Sequence, residues 1–263
     1  MSKVFKIATW NINSIRIRLN QLENWLHSNN IDILLLQEIK CQNEQFPLEI
    51  FEELGYNCYV HGQKSYNGVA ILSKYKADEI ITNFPNNPCK EDRRFIEINL
   101  QLPFGYSRII SIYVPNGGEV FSEKYEMKLE FLDSLKQYMS LKDFGDTVII
   151  GGDFNVASEE IDVYSVEDMR EQTCFTDKER AKIRSIINNG FVDPLRLVDY
   201  SNNIYSWWDY RAGCLQNNFG LRIDYFLTSA NVTKILQNCY VDKAQRIVQK
   251  TSDHAPVIME IDL

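Results

Sequence analysis

The sequence predicts an α/β fold in which β-sheets are stacked on one another and helices lie outside them. Three observations carry this prediction. Almost wholly apolar runs such as IDILLLQE are typical of strands that are covered on both faces. Helical stripes of apolar residues separate groups of strands, and residues 56–114 contain five strand-like runs between Gly, Pro and Asn clusters. Grouped strands joined by a few long helices favour stacked sheets over a strict alternation of strand and helix.

The first elements alternate between strand and helix. KVFKIATWN reads as a buried strand, and NQLENWLHSNN carries an apolar helical stripe. IDILLLQE is the next strand, so Asn11 and Glu38 both fall at strand ends. A short helix is expected from Pro47 to Leu54, with Gly55 as its stop signal.

The middle and the end of the chain supply the remaining elements. The five runs YNCYVHG, GVAILSK, EIITNF, RRFIEINLQL and SRIISIYVP predict strands. Two amphipathic helices are expected in EKYEMKLEFLDSLKQYM and DKERAKIRSIINNG, and further strands in DTVIIGGDFN, GLRIDYFLTS and PVIMEIDL. The apolar stripe of the first of these helices is expected to lie in the core and consists of Tyr125, Leu129, Leu132, Leu135 and Met139.

Composition indicates a globular protein with a single large core. The 263 residues are 44% hydrophobic and 24% charged, without a linker, a repeat or a low-complexity segment, so residues 1–263 are expected to form one domain. The net charge of −8 disfavours general binding of polyanions through bulk electrostatics. It leaves a local site open, because carboxylates gathered around a divalent cation present a positive centre to a phosphate.

No targeting or membrane signal is visible in the sequence. Lys3 and Lys6 interrupt the N-terminal apolar run, and no stretch approaches the roughly 18–20 apolar residues that span a bilayer. The six cysteines contain no C-x-x-C pair, which argues against a zinc site or a disulfide framework. We therefore expect a cytoplasmic protein that has no contact with a membrane.

Acidic and amide residues follow several apolar strands and suggest a metal site. Carboxylate and amide oxygens without cysteine suit a hard divalent cation, and Mg²⁺ keeps coordination positions for a substrate phosphate. Each residue alone could equally cap a turn or be a solvated strand end. The pattern gains weight because it recurs in five separate segments, which contain Asn11 and Asn13, Glu38, Asp153 and Asn155, Asp224, and Asp253 with His254.

The ordered set of motifs resembles a known family. TWNINSIR, LLLQE, GVAILSK, YVPNGG, GGDFN, YSWWDYRAG, GLRIDYF and SDHAP occur in the order and approximate spacing of the exonuclease III family of abasic-site DNA-repair endonucleases. That family lies within the Mg²⁺-dependent endonucleases, exonucleases and phosphatases, which also include DNase I. The resemblance implies a four-layer α/β sandwich, with two packed mixed β-sheets flanked by helices and the site at one end of the sheets.

The resemblance also implies roles for the polar residues. Glu38 would be the principal ligand of Mg²⁺, for which Mn²⁺ is a possible substitute. Asp224 would orient His254, an imidazole whose ordinary pKa near 6.5 suits proton transfer. Asp153 and Tyr113 are competing proton carriers, and the sequence leaves the order of His254, Asp153 and Tyr113 open. Asn155 would hydrogen-bond the attacked phosphate or water. The residues expected around the metal are Asn11, Glu38, Asp153, Asn155, Asp253 and His254.

Substrate contacts follow from the same resemblance. Trp207 and Leu221 would line an apolar pocket that accepts an extruded abasic sugar, although an aromatic here could equally belong to the core. Asn116 and Arg211 would contact the DNA backbone or the phosphate.

The chain departs from some relatives at two positions. Glu119 replaces an arginine that reaches into the duplex, and Asn13 replaces an aspartate near the metal.

The expected function is a Mg²⁺-dependent DNA-repair phosphodiesterase that incises 5′ to abasic sites and has 3′-5′ exonuclease and 3′-end-trimming activity. Its partner would be double-stranded DNA with abasic sites or blocked 3′ ends, bound by a monomer. One alternative is a phosphatase or phosphodiesterase that acts on a small molecule or a lipid head group. Another is a catalytically silent nucleic-acid-binding module, which would be expected to have lost Glu38, Asp153, Asn155 or His254.

Overall fold

Two six-stranded mixed sheets form the centre of the molecule. The computed structural model describes residues 4–140 and 147–263. In the described part of the chain, one sheet has the strand order β11-β12-β1-β2-β4-β3 and the other the order β5-β6-β7-β8-β10-β9. The neighbours β1 and β2, and likewise β7 and β8, are parallel, whereas the other pairs are antiparallel.

The strands and helices have the following bounds. The strands are β1 Val4–Asn11, β2 Ile33–Gln37, β3 Asn57–His61, β4 Val69–Ser73, β5 Glu79–Ile81, β6 Phe95–Leu102, β7 Gly105–Tyr113, β8 Thr147–Asp153, β9 Phe191–Val192, β10 Asp224–Ser229, β11 Leu236–Val241 and β12 Val257–Asp262. The helices are α1 Ile15–Asn29, α2 Leu48–Glu53, α3 Glu123–Ser140, α4 Val166–Met169, α5 Asp177–Ile187 and α6 Pro194–Val198.

Side-chain alternation along the strands produces four layers. Ile7 of β1 and Ile109 of β7 belong to one buried cluster between the two sheets. The opposite face of β1 carries Trp10, which packs in a second cluster with Leu22 and Trp25 of α1. A third cluster joins β7 and β8 to α3 and α5. Because successive side chains of a strand point to opposite faces, each sheet is buried on both sides.

The expected α/β sandwich of two packed sheets flanked by helices is confirmed. The predicted stripe of α3 is buried at Tyr125, Leu129, Leu132, Leu135 and Met139. The six cysteines are all free, and in the described part of the chain no helix has the length and apolar character needed to cross a membrane.

Register places the polar strand ends at one edge of the sandwich. In the first sheet, Asn11 at the end of β1 pairs with Gln37, the residue before Glu38. In the second sheet, Tyr113 at the end of β7 pairs with Asp153, and Asp153 also faces Asp224 on β10. The carboxyl ends of parallel neighbours share one edge, so residues from distant parts of the chain meet there.

Close approach of β7 and β8 depends on Gly152. A β-carbon at this position would lie 2.0 Å from the carbonyl oxygen of Ile112, its partner in the register. We expect Gly152→Ala to separate the two strands and to lower the free energy of unfolding by about 1–3 kcal/mol. Denaturant unfolding at equilibrium measures this loss, and an unfolding midpoint equal to that of the wild type would contradict the steric argument.

Candidate active site

Two carboxylates and one imidazole meet at the shared edge of the two sheets. One ligand atom each from Glu38, Asp153 and His254 lies within 4.8 Å of the others. Asn11 bridges the two carboxylates, since its Nδ2 donates to Glu38 Oε1 at 2.8 Å and to Asp153 Oδ2 at 2.9 Å. This donor set fits a divalent cation. The Asn11 Oδ1 atom accepts the backbone N–H of Asn13 at 3.1 Å, so in this orientation Asn11 positions the carboxylates.

Glu38 has an uncommon backbone conformation and a cationic neighbour. Its φ is 49°, in the left-handed region that non-glycine residues seldom occupy and that concentrates at functional sites. Lys40 Nζ lies 2.8 Å from Glu38 Oε2. Burial raises the pKa of Glu38. The charge of Lys40 and the hydrogen bonds from Asn11 and Lys40 have the opposite effect and together outweigh burial, so the pKa of Glu38 lies below its ordinary value. The carboxylate is therefore ionised and available to a cation.

His254 is braced by a buried carboxylate. Its Nδ1 lies 2.8 Å from Asp224 Oδ2, which also accepts a hydrogen bond from Ser206 Oγ at 2.7 Å. On the other side of the ring, Nε2 lies 3.8 Å from Asp153 Oδ2. Burial lowers the pKa of His254, but the carboxylates of Asp224, Asp153 and Asp253 raise it to about 10. The ring is thus fixed in orientation with one nitrogen facing the cleft.

Asp153 is a buried carboxyl in a crowded acidic environment. Burial is the largest influence and raises its pKa; the charge of Asp224 acts in the same direction, and the pKa reaches about 7. Its Oδ1 accepts the backbone N–H of Asn155 at 2.8 Å. A raised pKa of this origin is typical of carboxyl groups at functional sites.

Tyr113 presents a hydroxyl beside the same carboxylates. Burial raises the pKa of Tyr113 well above its ordinary value, and the charges of Glu38 and Asp153 raise it further. The guanidinium of Arg94 lies 4.7 Å from the centre of the Tyr113 ring and holds it in place. At neutral pH the phenol keeps its proton and can donate a hydrogen bond.

Asp253 is held by two donors at the rim. Its Oδ2 accepts Nε1 of Trp207 at 3.0 Å, and its Oδ1 accepts Nδ2 of Asn13 at 2.8 Å. Although burial raises the pKa of Asp253, the charge of His254 and these two hydrogen bonds lower it overall. Both oxygens are thus already bonded, and Asp253 lies outside the compact group formed by Glu38, Asp153 and His254.

A cleft of about 260 Å³ opens onto this cluster. Its lining combines the apolar side chains of Trp207 and Ile223 with a larger number of polar side chains. Two of these polar residues are bonded to each other, since Asn116 Nδ2 donates to Asn155 Oδ1 at 3.2 Å. The complete lining consists of Glu38, Tyr113, Asn116, Asp153, Asn155, Cys174, Trp207, Ile223, Asp253 and His254.

Two expected substrate residues lie away from the cleft. Leu221 is buried, forms β-bridges with Val163 and Trp207, and packs in one hydrophobic cluster with Ile223 and Trp207. The side chain of Arg211 is 87% exposed and pairs with Asp209 at 2.6 Å. Their roles toward DNA stay predictions.

The comparison with known families agrees with this geometry. Residues 8–254, which include every residue of the cleft lining, match the model of the Endonuclease/Exonuclease/phosphatase family. The chain belongs to this family.

Relatives and solved structures narrow the position within the family. Exodeoxyribonuclease III of Haemophilus influenzae is 33% identical over 264 residues, which cover 97% of this chain and 99% of the relative. The structure of an AP endonuclease from Archaeoglobus fulgidus has a TM-score of 0.93 and 36% identity over 98% of this chain and 100% of that one. The structure of a 3′ phosphatase from Neisseria bound to a product DNA hairpin has a TM-score of 0.94 and 34% identity, and the match covers 98% of this chain and 100% of that one. The predicted membership in the exonuclease III branch is confirmed.

Sequence reasoning missed several residues of this family member's site. Ile223 lies in the recognised motif GLRIDYF, one residue before Asp224, so the motif itself could have suggested it. Ser206, the donor to Asp224, stands next to Trp207 in a recognised motif. Cys174 lies in EQTCFTD, where no local signal points to the cleft. Lys40 follows Glu38 by two residues, but its pairing depends on the bend of the backbone at Glu38.

The two departures also receive a structural account. Asn13 stands where some relatives have an aspartate. Its Nδ2 donates to Asp253, and its Oδ1 accepts from Lys40 Nζ at 2.6 Å. It thus joins two site residues by hydrogen bonds. Glu119 is exposed and does not line the cleft.

Proposed function

We propose that this protein is a Mg²⁺-dependent DNA-repair phosphodiesterase that incises duplex DNA 5′ to abasic sites and trims blocked or ordinary 3′ ends. The observation that supports it most is the meeting of Glu38, Asp153 and a carboxylate-braced His254 on the wall of one cleft. The relatives named as exodeoxyribonuclease III, AP endonuclease and 3′ phosphatase support the same substrate class. Action as a cytoplasmic monomer stays a prediction.

Different residues of the cleft would have different roles in phosphodiester hydrolysis. Glu38 and Asp153 would hold the Mg²⁺, which when bound supplies charge neutralisation for the phosphate and its leaving oxygen. His254, kept in one orientation by Asp224, faces the place where a phosphoryl group would lie. Tyr113 holds a hydroxyl proton toward a phosphoryl oxygen or the leaving group. Asp153 remains the competing proton acceptor.

The apolar side chains of the cleft lining support selection of an abasic sugar. Trp207 and Ile223 line the cleft, and Leu221 packs in one cluster with them. A deoxyribose without a base can enter such a small apolar space, and its extrusion costs least because no base stacks or pairs. At an internal position of the duplex, an extruded nucleotide that carries its base would be excluded from this space by its size.

An end-labelled duplex with one abasic analogue tests the proposal. We expect a cut 5′ to the analogue with Mg²⁺ and no cut with a chelator. A second duplex with a 3′-phosphate tests end trimming in parallel. Absence of cleavage of both duplexes with Mg²⁺ and with Mn²⁺ would overturn the proposed function. Cleavage of the 3′-phosphate duplex alone would instead favour a 3′ phosphatase, the activity named for the Neisseria relative.

Replacement of Trp207 separates the abasic pocket from the metal cluster. We expect Trp207→Ala to lower incision of the abasic duplex about 10–100-fold more than removal of a 3′-phosphate, because only the first reaction needs the apolar side chains of the lining. The ratio of kcat/KM for the two duplexes measures this effect. Trp207→Phe serves as control, since it keeps an aromatic ring and loses only the N–H that donates to Asp253. Equal losses on both duplexes for Trp207→Ala would contradict the assignment.

A further inference from the structure

Lys128 of α3 places a fully buried ammonium group directly beneath the cleft. The side chain is 0% exposed. Its Nζ donates to the carbonyl oxygen of Asn155 at 2.7 Å and to that of Asn116 at 3.0 Å, and it makes a short ion pair with Glu179. An ammonium has three N–H donors, so each of them is used.

The two carbonyl groups belong to neighbouring residues of the cleft lining. Asn116 follows β7 and Asn155 follows β8, and their side-chain amides are bonded to each other at 3.2 Å. Both loops bend in the left-handed region, with φ of 51° at Asn155 and 93° at Gly117. Glycine adopts this conformation freely, but at Asn155 it persists only where surrounding contacts hold it. Lys128 joins the two bends through one nitrogen atom.

Glu179 extends the connection to a third segment of the lining. Its Oε1 accepts the backbone N–H of Cys174 at 3.0 Å, and its Oε2 accepts the N–H of Thr176 at 3.0 Å. Cys174 lines the cleft beside Asn155, and Thr176 caps the N-terminus of α5. The Lys128–Glu179 pair therefore ties three loops of the cleft to two helices.

Stability alone does not account for a charged pair at this position. Replacing a buried ion pair by apolar residues of similar volume is often neutral or stabilising, since burial removes both charges from water. An apolar side chain would nevertheless lose the two directional hydrogen bonds to the main chain of Asn116 and Asn155. The specific contribution of Lys128 is the spacing of these two residues.

We propose that Lys128 is a positioning residue, which sets the distance between the side-chain amides of Asn116 and Asn155 and thereby aligns the bound phosphate for hydrolysis. This inference rests on the proposed function, in which the cleft receives the scissile phosphate. Functional groups have to be held within a fraction of an ångström, so a loosened support lowers the rate even where folding is kept.

The decisive variant is Lys128→Met combined with Glu179→Gln, because it leaves no uncompensated buried charge. We expect this double variant to fold but to melt below the wild type, because the carbonyl oxygens of Asn116 and Asn155 lose their donor and a glutamine amide cannot accept with both of its ends as Glu179 does. We expect its kcat on the 3′-phosphate duplex to fall about 10–100-fold, with a smaller change in KM. Lys128→Arg keeps a cation with several donors and should recover part of kcat. Lys136→Met makes the same chemical change at a half-buried position of α3 that does not line the cleft, and it should leave kcat unchanged.

A double-mutant cycle tests whether Lys128 acts through the amide pair. Asn116→Ala removes one amide of the pair and is itself expected to lower kcat. We then introduce Lys128→Met and Glu179→Gln into the Asn116→Ala variant. If Lys128 acts by spacing the amides, these two changes should lower kcat much less in the Asn116→Ala variant than in the wild type. Full additivity of the two losses would show that Lys128 acts by another route.

The outcomes separate this inference from the proposed function. If the wild type is active and the folded double variant has the same kcat, the positioning role is wrong and the proposed function is unaffected. A folded double variant whose loss lies wholly in KM also overturns the role in alignment. Inactivity of the wild type on both duplexes overturns the proposed function and the present inference together.

Discussion

Replacement of Glu38 by alanine is expected to abolish metal-dependent cleavage of the abasic duplex. Glu38 and Asp153 supply the carboxylates of the candidate metal cluster, and without Glu38 the carboxylate of Asp153 is the one that remains in this cluster. We expect kcat/KM to fall at least about 1000-fold, which corresponds to about 4 kcal/mol of transition-state stabilisation. Single-turnover cleavage across a Mg²⁺ titration measures the loss.

A structural control accompanies the Glu38 variant. Glu44 is an exposed carboxylate in the segment that follows Glu38, and Glu44→Ala should retain full activity. Thermal unfolding without added metal should show that Glu38→Ala still folds, since its main loss there is the partly exposed ion pair with Lys40. Full activity of Glu38→Ala at low Mg²⁺ would remove Glu38 from the metal site.

Loss of the His254 imidazole is expected to have an effect of comparable size. His254 faces the cleft through Nε2 and is bonded to Asp224 through Nδ1. We expect His254→Ala to lower kcat about 1000-fold or more, because a positioned imidazole and its carboxylate act as one unit. The measurement is kcat on the abasic duplex at saturating Mg²⁺. His27→Ala, which changes an exposed histidine near the end of α1, should leave kcat unchanged.

The Asp224→Asn variant tests the contribution of the Asp224 carboxylate while the imidazole ring of His254 is kept. The amide cannot stabilise an imidazolium as the carboxylate does, so kcat should fall in the same direction and by a similar order. The double variant of His254 and Asp224 should then lose little more than either single variant. Independent, multiplicative losses would mean that the two residues do not work as a unit.

Much of the fold was predictable because burial leaves a strong local pattern. The all-apolar run that became β2, and the stripe from Tyr125 to Met139 on α3, follow directly from the periods of strand and helix. Four short elements went unrecognised. The elements β9, α4 and α6 have only two, four and five residues, and β11 is mostly half-buried or exposed and has an irregular register. Such segments acquire their conformation from neighbours in space.

The charged residues of α5 show the same limit of prediction from local sequence. The segment DKERAKIRSIINNG was expected to be an amphipathic helix, and it begins with a run of mixed charges. In α5, Glu179 is buried against Lys128, whereas Lys182 and Arg184 pair with Asp133 and Glu159. Periodicity identifies the apolar side of a helix, but the partners of its charges lie on other elements.

The sequence by itself determined the stacked α/β architecture, the family, and the residue types available for binding a metal and a phosphate. Only the tertiary structure decided which of these residues touch: Glu38 with Asp153 and His254, Asp253 with Trp207, and Lys128 with two backbone carbonyls. The physical reason is that strand patterns depend on neighbours along the chain. Contacts between residues as distant as Asn11 and Asp153 depend instead on the register and packing of two sheets, to which the whole core contributes.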